Sequence, residues 1–563
     1  MTKYINTLFT LIGTAILFTA CQKLEDRPLE LVTEEFLWDS KDSLGTNAGY
    51  FLNSIYADLP TGYNRIGGNV LDAATDDAVP TEDGTTIASF TNGGYSAISN
   101  ADNSWQSNYA SIRKCNLFVQ NFNKVHFKKD PTIFIQGQYW RAENRFLRAI
   151  FYYELAKRYG GVPLLGDKVL SLDDDLKLPR NSFDECINYI ASECDAIKDS
   201  LRADPVPASD YGRITKAVAL TLKAKALLLA ASPLNNPSND IARWRRAKNA
   251  AADVIRLGVF SLEPSFSNVF LTRKNSEVIL AYQRNVTTDL ETNNAPIGYV
   301  SGSTTSRGRT SPTQELVDAF TTIKGLPITA DIKSASNLTG YDAANPYANR
   351  DPRLDKTVFY NGLPWLSRGV ETFDGGRDRP GGSVIQTKTG YYMRKFLGEL
   401  ASSTAYSNQT HNFPIFRYAD VLLMFAEAKN EVDGPGAATD SVYNFVRDIR
   451  RRAGIQAGSG QNTYGLTAGM SVADMRNTIR NERRVEMAFE EQRFWDIRRW
   501  KIAESIYNKP LHGIRITKAG NVLNYKVEQL NTPFQFFAPR MYRYAIPYSE
   551  VVKNTNLTQN EGY

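Results

Sequence analysis

The chain has 563 residues, of which 42% are hydrophobic and 22% charged, and its formal net charge is +6. This length and apolar content are sufficient for a large folded core and argue against disorder on a large scale. Because the charge is nearly balanced over the chain and no basic block with interleaved aromatic residues occurs, a nucleic-acid partner is not expected.

The amino terminus has the pattern of a secretion signal. Lys3 precedes an apolar run that ends at Phe18, and two small residues then lead to Cys21. The run is shorter than the about 20 apolar residues that a membrane-spanning helix needs. Small residues directly before a cysteine resemble a bacterial lipobox, in which Cys21 becomes the first mature residue and carries acyl chains. We therefore predict a signal peptide over residues 1–20 and a lipidated tether over residues 21–40.

Three further cysteines remain, Cys115, Cys186 and Cys194. The last two stand eight residues apart in a helical pattern, which separates them by about 12 Å along a helix axis, too far for a disulfide. None of the three belongs to a CxxC pair. We expect buried free thiols instead of a disulfide framework or a zinc site.

Apolar residues recur at helical intervals in four segments, which span about residues 40–59, 103–122, 139–159 and 243–257. The third segment carries two apolar stripes, one through Ala149 and one through Phe151, and this predicts a helix packed between neighbours on both sides. A glycine pair at residues 160–161, followed by Pro163, predicts its end.

Alanines recur every seven residues in three predicted helices, at Ala142, Ala149 and Ala156, at Ala217, Ala224 and Ala231, and at Ala419 and Ala426. Small side chains at this interval allow neighbouring helices to approach closely. The loop from Pro233 to Pro237 joins the second of these helices to the helix over residues 243–257 and so completes a helical hairpin. We predict a mainly α fold, with a scaffold of tetratricopeptide-like helical hairpins.

Between residues 261 and 412 the composition changes, and Gly, Pro, Ser, Thr and Asn dominate several loop-like runs. Long loops on a rigid scaffold commonly carry function. The fold is therefore expected to bear a large irregular loop-rich region. The predicted organisation after the tether is a helical region, a loop-rich ligand region, further scaffold helices and a carboxyl-terminal tail, over residues 41–260, 261–412, 413–505 and 506–563.

The segment over residues 478–501 combines helical spacing with a high density of charges of both signs and contains neither Gly nor Pro. Opposite charges stand three residues apart, as in the pairs Glu490–Arg493 and Asp496–Arg499. We expect either a solvated ion-pair face or partial burial between neighbouring helices. The apolar spacing shifts near Gln492, which predicts a break in the helix.

This segment also resembles a signature of the SusD/RagB family of nutrient-binding surface lipoproteins, through Arg483, Glu486, Phe489, Glu490, Arg493, Phe494, Asp496, Arg498, Arg499 and Trp500. Further landmarks follow in the family's order, at 105–117, 351–354, 390–395, 417–428 and 546–563. The resemblance implies a SusD-like fold, an outer-membrane location at the cell surface, no catalytic activity, and a SusC-like TonB-dependent barrel transporter as partner.

Motifs of catalysis and metal binding are absent from the sequence, which has no GxxxxGK[ST], GxGxxG after a strand, HExxH or GxSxG pattern. The three histidines, His126, His411 and His512, are far apart and lack ligand-like neighbours at helical spacing. Adjacent carboxylates such as Asp76 and Asp77 do not form a glycosidase pair, whose two groups flank a bond at about 5–5.5 Å or 6.5–9.5 Å. We predict no catalytic residue, no metal site and no cofactor.

Sugar binding requires flat rings and a few fixed polar groups. Trp365, in a Gly-bounded loop, is the first candidate for stacking on a sugar, and simple packing is the alternative. Trp105 is the second, because the family often places aromatic ligand contacts in that neighbourhood, although it also begins a structural helix. The polar candidates, each with a structural contact as its alternative, are Asp76, Asp77, Tyr391 and Arg394.

Together with the resemblance, these features predict a lipoprotein that captures an oligosaccharide or polysaccharide and, lying as a lid over a SusC-like transporter, passes it inward. The same lid mechanism acting on peptides is one alternative. A non-nutrient helical assembly protein, whose Trp365 loop contacts only protein, is another, and a surface glycoside hydrolase on the helical scaffold is a third.

Overall fold

A computed structural model of the protein describes residues 34–301, 304–328, 340–398, 406–460 and 462–563. The predicted signal peptide, Cys21 and most of the predicted tether lie outside these ranges. Within them, no helix combines the length and the apolar character needed to cross a membrane.

The helices of the described residues are α1 (Glu34–Leu37), α2 (Thr46–Tyr56), α3 (Trp105–Asn121), α4 (Pro131–Tyr159), α5 (Phe183–Ile197), α6 (Lys216–Ala231), α7 (Ile241–Arg256), α8 (Asn268–Leu271), α9 (Asp289–Asn294), α10 (Gln314–Ala319), α11 (Arg353–Thr357), α12 (Tyr418–Asp433), α13 (Ser441–Ala453), α14 (Val472–Glu486), α15 (Gln492–Arg499), α16 (Ala503–Ile506) and α17 (Tyr548–Lys553).

The strands are β1 (Ala78–Pro80), β2 (Val278–Tyr282), β3 (Val300–Ser301), β4 (Thr304–Thr305), β5 (Thr310–Pro312), β6 (Val358–Phe359), β7 (Pro364–Trp365), β8 (Arg368–Gly369), β9 (Tyr392–Met393), β10 (Phe413–Arg417), β11 (Gly458–Ser459), β12 (Asn462–Thr463), β13 (Leu466–Thr467), β14 (His512–Ala519) and β15 (Val522–Gln529). These strands pair in antiparallel fashion: β1–β5, β2–β10, β3–β4, β6–β9, β7–β8, β11–β12–β13 and β14–β15.

The long helices form one scaffold. From α2 to α7 each helix packs against the next, and α7 then packs against α12, which also contacts α13 and α14. The helices before and after the loop-rich region are therefore neighbours, which confirms the predicted mainly α fold built from helical pairs. The exact boundaries of the six predicted segments stay predictions.

Helix α4 follows from local chemistry. The carboxylate of Asp130 caps its first turn by accepting hydrogen bonds from the amides of Thr132 and Ile133, at 2.8 and 3.3 Å. The helix ends at Gly160, whose φ of 78° is a conformation that glycine adopts at little cost. Both predicted apolar stripes, through Ala149 and Phe151, are buried, so the helix lies between neighbours as expected.

The predicted break near Gln492 lies between α14 and α15. Phe489 and Glu491 adopt left-handed backbone conformations, with φ of 63° and 59°. The buried carboxylate of Asp72 holds this turn by accepting hydrogen bonds from the amides of both residues, at 3.0 and 3.1 Å. Lys395 supports it from the loop-rich region, because its ammonium donates to the carbonyl oxygens of Glu486 and Ala488, each at 2.9 Å.

Of the two expectations for the charges of this segment, the solvated face is wrong and burial is observed. Eight of its charged side chains are buried: Glu482, Arg483, Glu486, Glu490, Arg493, Asp496, Arg498 and Arg499. The pair Asp496–Arg499 forms at 2.7 Å, whereas Glu490 binds Lys395 and Arg417, each at 2.7 Å. The pairing is decided by burial next to opposite charges that come from distant segments. Sequence spacing does not show these neighbours.

The same network joins the loop-rich region to the scaffold. Arg353, at the start of α11, binds Glu482 and Glu486 of α14, at 2.7 and 2.9 Å. Arg417, at the end of β10, binds Glu277 and Glu486, at 2.7 and 2.8 Å. Fully buried ion pairs with several hydrogen bonds fix the position of the loop-rich region relative to the scaffold, because breaking one pair leaves an uncompensated buried charge.

The three cysteines, as expected, are buried free thiols.

Candidate functional site

A cleft of about 330 Å³ opens between the scaffold helices and the segment that contains α15. We call it the Trp495 cleft. Its volume lies at the lower end of the range typical of small-molecule sites. The apolar part of its wall includes Ile150, Leu228, Leu229, Phe413, Ile415 and Phe416, and the more exposed polar part includes Asp58, Arg65, Ser104, Ser107, Lys157 and Gln492.

Trp495 is a half-buried ring on this wall. It stands on α15 directly after Phe494, which is fully buried in the core, and the neighbouring Tyr544 ring lies 5.5 Å from it. The ammonium of Lys157 lies 4.9 Å from the indole centroid, and the guanidinium carbon of Arg158 lies 5.2 Å from it. These cation–π contacts and the packing of α15 hold the indole in one orientation.

Arg65 and Asp102 form the polar frame beside the ring. Arg65 donates to both carboxylate oxygens of Glu491, at 2.6 and 2.8 Å, and also pairs with Asp102. Asp102 in turn binds Arg158 at 3.1 Å and accepts from the Tyr544 hydroxyl at 3.0 Å. Burial raises the pKa of Asp102, but the two guanidinium groups outweigh it and lower that pKa to about 2.

Glu154 and Lys157 form a second pair in the cleft, 2.7 Å apart. Burial lowers the pKa of Lys157 to about 8, although Glu154 partly opposes the shift. Burial also raises the pKa of Glu154, but Lys157 and Arg158 outweigh it, so that pKa falls to about 2. Near neutral pH the cleft therefore presents ionised carboxylates and cations that are already held in position.

The carboxylates of Asp102 and Glu154 are suited to accepting hydrogen bonds, not to acting as general acids. A glycosidase needs a carboxylic acid that stays protonated near neutral pH, whereas Asp102 and Glu154 have lowered pKa values. An ionised carboxylate has lone pairs left to accept sugar hydroxyls, and Arg and Lys donate to them. In the parts of the chain that the structure describes, no group of three or more His, Cys, Asp and Glu side chains is placed to hold a metal ion.

The predicted residue Trp365 does not line this cleft. Its side chain is only 4% exposed and packs between Tyr299, Phe359 and Tyr406, with ring centroids 4.9 to 6.0 Å apart. Its indole N–H donates to the carbonyl oxygen of Gly398 at 3.2 Å. In this conformation Trp365 is a packing residue, and its role as a ligand contact stays a prediction.

Trp105 is also buried, but it stands next to the cleft. Its ring packs against Tyr109 and Tyr159, each at 5.1 Å, on the first turn of α3. The residues around it in sequence, Ser104 and Ser107, line the Trp495 cleft. Trp105 itself does not line the cleft, and its role as a ligand contact stays a prediction.

Asp76 and Asp77 are buried in ion pairs. Asp76 binds Arg493 through two hydrogen bonds, at 2.9 and 2.8 Å, and Arg484 at 3.0 Å. Burial raises the pKa of Asp76, but these two arginines outweigh it and lower that pKa to about 2. Asp77 binds Arg484 at 2.6 Å. Both carboxylates thus form structural ion pairs, which was the alternative to ligand binding.

Tyr391 and Arg394 flank β9, away from the Trp495 cleft. The buried Tyr391 hydroxyl donates to Gln314 at 2.7 Å. Arg394 is half-buried, donates to the Asp355 carbonyl at 2.7 Å, and lies 5.4 Å from the Phe359 ring that also contacts Trp365. The structure therefore brings Trp365 and Arg394 to one aromatic cluster around Phe359.

The cleft residues Arg65, Lys157 and Trp495 were not selected from the sequence. One signal was present for Trp495, because it stands outside the apolar positions Phe494, Ile497 and Trp500 of its helix. An aromatic ring that lies outside the core-facing stripe of its helix is not needed for core packing, and it can therefore line a cavity.

Two family models match the chain. Residues 52–228 match a model described as starch-binding and associating with the outer membrane. Residues 276–563, just over half of the chain, match the model of the SusD family.

Individual relatives agree with these matches. The SusD-like protein P2 of Formosa agariphila is 24% identical over 584 residues and is matched over 100% of both chains. The crystal structure of a SusD-like protein from Bacteroides fragilis superposes with a TM-score of 0.76 at 26% identity, over 94% of this chain and 98% of that chain. A laminarin-binding SusD-like protein has the same fold, with a TM-score of 0.63 at 19% identity, over 92% and 99%. The fold and the family match over residues 276–563 together place this chain in the SusD family.

Proposed function

We propose that this protein binds a glycan at the cell surface, in the Trp495 cleft, and delivers it to a SusC-like TonB-dependent transporter without catalysing a reaction. Acyl chains on Cys21 hold it at the outer membrane in this proposal. The description of the family model over residues 52–228, starch-binding and associating with the outer membrane, supports both the ligand class and the location.

The observation that carries the proposal is the position of the Trp495 indole beside fixed charges in a cleft of about 330 Å³. An aromatic face packs on the C–H face of a pyranose, and ordered carboxylate and guanidinium groups form hydrogen bonds with its hydroxyls. Basic and acidic side chains of the cleft pair with one another, as in Arg65–Glu491 and Lys157–Glu154. This balance favours a neutral glycan over a polyanionic one.

The first test is isothermal titration calorimetry or affinity electrophoresis of the mature chain, without acyl groups, against a panel of polysaccharides. Trp495→Ala is expected to weaken binding about tenfold or more, and Trp495→Phe less, because a smaller ring keeps part of the stacking. Both variants must retain the wild-type circular dichroism spectrum.

Trp365→Phe and Trp105→Phe are the matched comparisons, since each keeps a buried aromatic ring. We expect both to bind the glycan as the wild type does. Binding that survives Trp495→Ala but is lost in a folded Trp365 variant would contradict the proposed site and move it to the aromatic cluster around Phe359.

Delivery to a transporter is tested separately, by crosslinking in the native membrane followed by identification of the partner. Recovery of a TonB-dependent barrel is the expected result, and its absence would contradict the delivery step while leaving glycan binding intact. Peptide binding by the same mechanism is distinguished by including peptides in the calorimetric panel. Partner recovery without binding of any glycan or peptide would favour the assembly protein.

A further inference from the structure

A second groove, which we call the Phe260 groove, lies on the other side of helix α12 from the Trp495 cleft. Its volume is about 540 Å³, within the range typical of small-molecule sites. Tyr418 and Leu422 of α12 line this groove, whereas Met424 of the same helix lines the Trp495 cleft. At about 100° per residue, Leu422 and Met424 point about 200° apart around the helix axis. The two cavities are therefore separate.

Three half-buried aromatic rings line the groove: Phe260 after α7, Tyr418 at the start of α12, and Phe445 on α13. The ring centroids of Phe260 and Tyr418 are 6.5 Å apart and the ring planes differ by 29°, so these two rings are nearly parallel. Phe445 packs edge-on against the Phe425 ring of α12, with the centroids 5.4 Å apart. Flat rings fixed in the wall of a cavity are the surfaces on which the C–H faces of sugars pack.

The backbone around the groove is fixed by the residues just before β2. The amide of Ser261 donates to the carbonyl oxygen of Ser276 at 3.0 Å, and the amide of Glu263 donates to the carboxylate of Glu277 at 2.9 Å. The amide of Tyr418 donates to the carbonyl oxygen of Glu277 at 2.9 Å. The loop and the start of α12 are thus held by the same two residues. A site that is already ordered loses less entropy when a ligand binds.

The charged side chains that line the groove each have an opposite charge beside them. They are Asp448, Arg451 and Arg452. Arg451 pairs with Asp448 on the preceding turn of α13. Arg452 binds Glu277 at 2.8 Å and also pairs with Glu486. The wall, as the described residues form it, therefore carries no unpaired charge, which favours a neutral ligand over a polyanion.

Polar groups stand beside the rings. Ser261 is exposed, and the side chain of Asp448 is 36% exposed, so both are within reach of a ligand. Burial, and next the charge of Asp448, raise the pKa of Tyr418, which keeps its hydroxyl protonated near neutral pH. An apolar helix docked here would bury these groups without partners, at a cost in free energy. The hydroxyls of a glycan would instead form hydrogen bonds with them.

We infer that the Phe260 groove is a second glycan-binding site, which holds a segment of a neutral polysaccharide independently of the Trp495 cleft. Sugar rings pack on Phe260 and Tyr418, and their hydroxyls bind Asp448 and the Tyr418 hydroxyl. A long polysaccharide that contacts both sites is retained more strongly than by either alone, because the second contact is made at a high effective concentration. The inference rests on the proposed function for its ligand class, but not for its site.

The test is calorimetry and affinity electrophoresis of the mature chain without acyl groups, against soluble starch, xyloglucan, galactomannan and the polyanion polygalacturonate. Short oligosaccharides of each neutral polymer that binds then give the number of sites. We expect two sites per chain in the wild type, one in Phe260→Ala, one in Trp495→Ala and none in the double variant. Phe260→Ala should weaken binding of the long polymer about tenfold or more. Polygalacturonate should bind at neither site.

Tyr418→Phe is the variant that preserves the packing, because it keeps the ring and removes only the hydroxyl. It should weaken oligosaccharide binding at the groove about fivefold, the effect of one hydrogen bond. Matched controls change the same residue types at exposed positions outside both cavities, namely Phe537→Ala and Tyr548→Phe. Both should bind like the wild type. Circular dichroism checks the fold of every variant, and Tyr418→Phe decides the matter if Phe260→Ala does not fold.

Failure of the groove and failure of the proposed site are separable. A single site in the wild type that is lost in Trp495→Ala would overturn the groove and leave the proposed function intact. A single site that is weakened in Phe260→Ala and Tyr418→Phe, but kept in Trp495→Ala, would support the groove and contradict the Trp495 cleft. An equal loss in the two controls, binding of peptides in place of polysaccharides, or no binding at all would overturn the inference.

Discussion

Two tryptophans show how burial separates a structural from a binding role at the scale of one residue. Trp365 has aromatic rings around it and a satisfied N–H, whereas Trp495 keeps part of its ring in a cleft. Trp365 stands in a Gly-bounded loop and Trp495 in a highly charged helical segment. Neither sequence context shows whether the ring is buried or faces a cleft. The difference lies in what distant segments place around each ring.

Trp365→Ala is expected to lower the free energy of unfolding by about 3–5 kcal/mol, because it removes a buried ring and leaves a cavity. Trp495→Ala should cost less, since its ring is only half-buried. Denaturant titration followed by circular dichroism measures both, with Trp365→Phe as the control that retains most of the packing. A loss below about 1 kcal/mol in Trp365→Ala would contradict the burial of this side chain.

Lys157 leads to a prediction about alkaline pH. Its pKa is about 8 in the folded protein, because burial disfavours the ammonium, and about 10.4 in an unfolded chain. Between these values the unfolded state binds more protons, so the free energy of unfolding should rise with pH, by roughly 2–3 kcal/mol over the window. In Lys157→Met the free energy of unfolding should rise with pH by correspondingly less.

The measurement is denaturant unfolding at several pH values from 7.5 to 10.5, with the wild type and Lys157→Met compared at each. Lys395, whose pKa burial also lowers to about 8, adds a rise of the same sign that both proteins retain. Equal slopes in the two proteins would show that Lys157 does not titrate in this range.

The turn between α14 and α15 is the element that places Trp495. It depends on Asp72, a residue more than 400 positions away, whose carboxylate accepts both turn amides. Asp72→Ala leaves these buried amides without their acceptor, which should cost about 1–3 kcal/mol of stability. It should also weaken glycan binding, because α15 then loses its fixed position.

Asp72→Asn is the graded comparison, since its single amide oxygen can satisfy one of the two amides. We expect its loss of stability and of glycan affinity to lie between those of the wild type and Asp72→Ala. Thermal unfolding and calorimetry supply the two readings. Unchanged affinity in a destabilised Asp72→Ala would show that the turn does not position the indole.

The helices were predictable because their signals are local. An apolar stripe and a terminating glycine such as Gly160 are local signals, so the end of α4 at Tyr159 was predicted, whereas the helix starts at Pro131, eight residues before the predicted segment. The break near Gln492 was visible for the same reason. Helix α2 is shorter than its apolar spacing suggested and spans Thr46–Tyr56, because Gly45 precedes it in a left-handed conformation.

At the scale of the whole molecule, the candidate site was not predictable because its residues come from distant parts of the chain, even though Trp495 alone carried a local signal. The Trp495 cleft brings together side chains near residues 65, 102, 157 and 495. Buried and solvated charges also look alike in a sequence. Arg493 was expected to pair with Glu490, three positions away, but it pairs with Asp76, which is 417 positions away. Long-range burial decides such pairings.

Buried ion pairs of this kind predict how the whole protein responds to acid. Asp76, Asp102 and Glu154 have pKa values of about 2, below their ordinary values near 4, because neighbouring cations outweigh the opposite effect of burial. Carboxylates with lowered pKa values stabilise the fold fully above about pH 4.5, and this contribution is lost as the pH falls toward 2. Each contributes on the order of 2–3 kcal/mol.

We therefore expect the melting temperature to be nearly constant from pH 7 to 5 and to fall steeply from pH 4.5 to 2.5. Asp102→Asn should be less stable at pH 7 and should lose less on acidification, because it lacks one of the titrating pairs. Asp83→Asn, at an aspartate whose side chain is 96% exposed, is the matched control and should follow the wild type. A profile without an acid decline, or the same change in both variants, would show that these buried pairs do not govern stability.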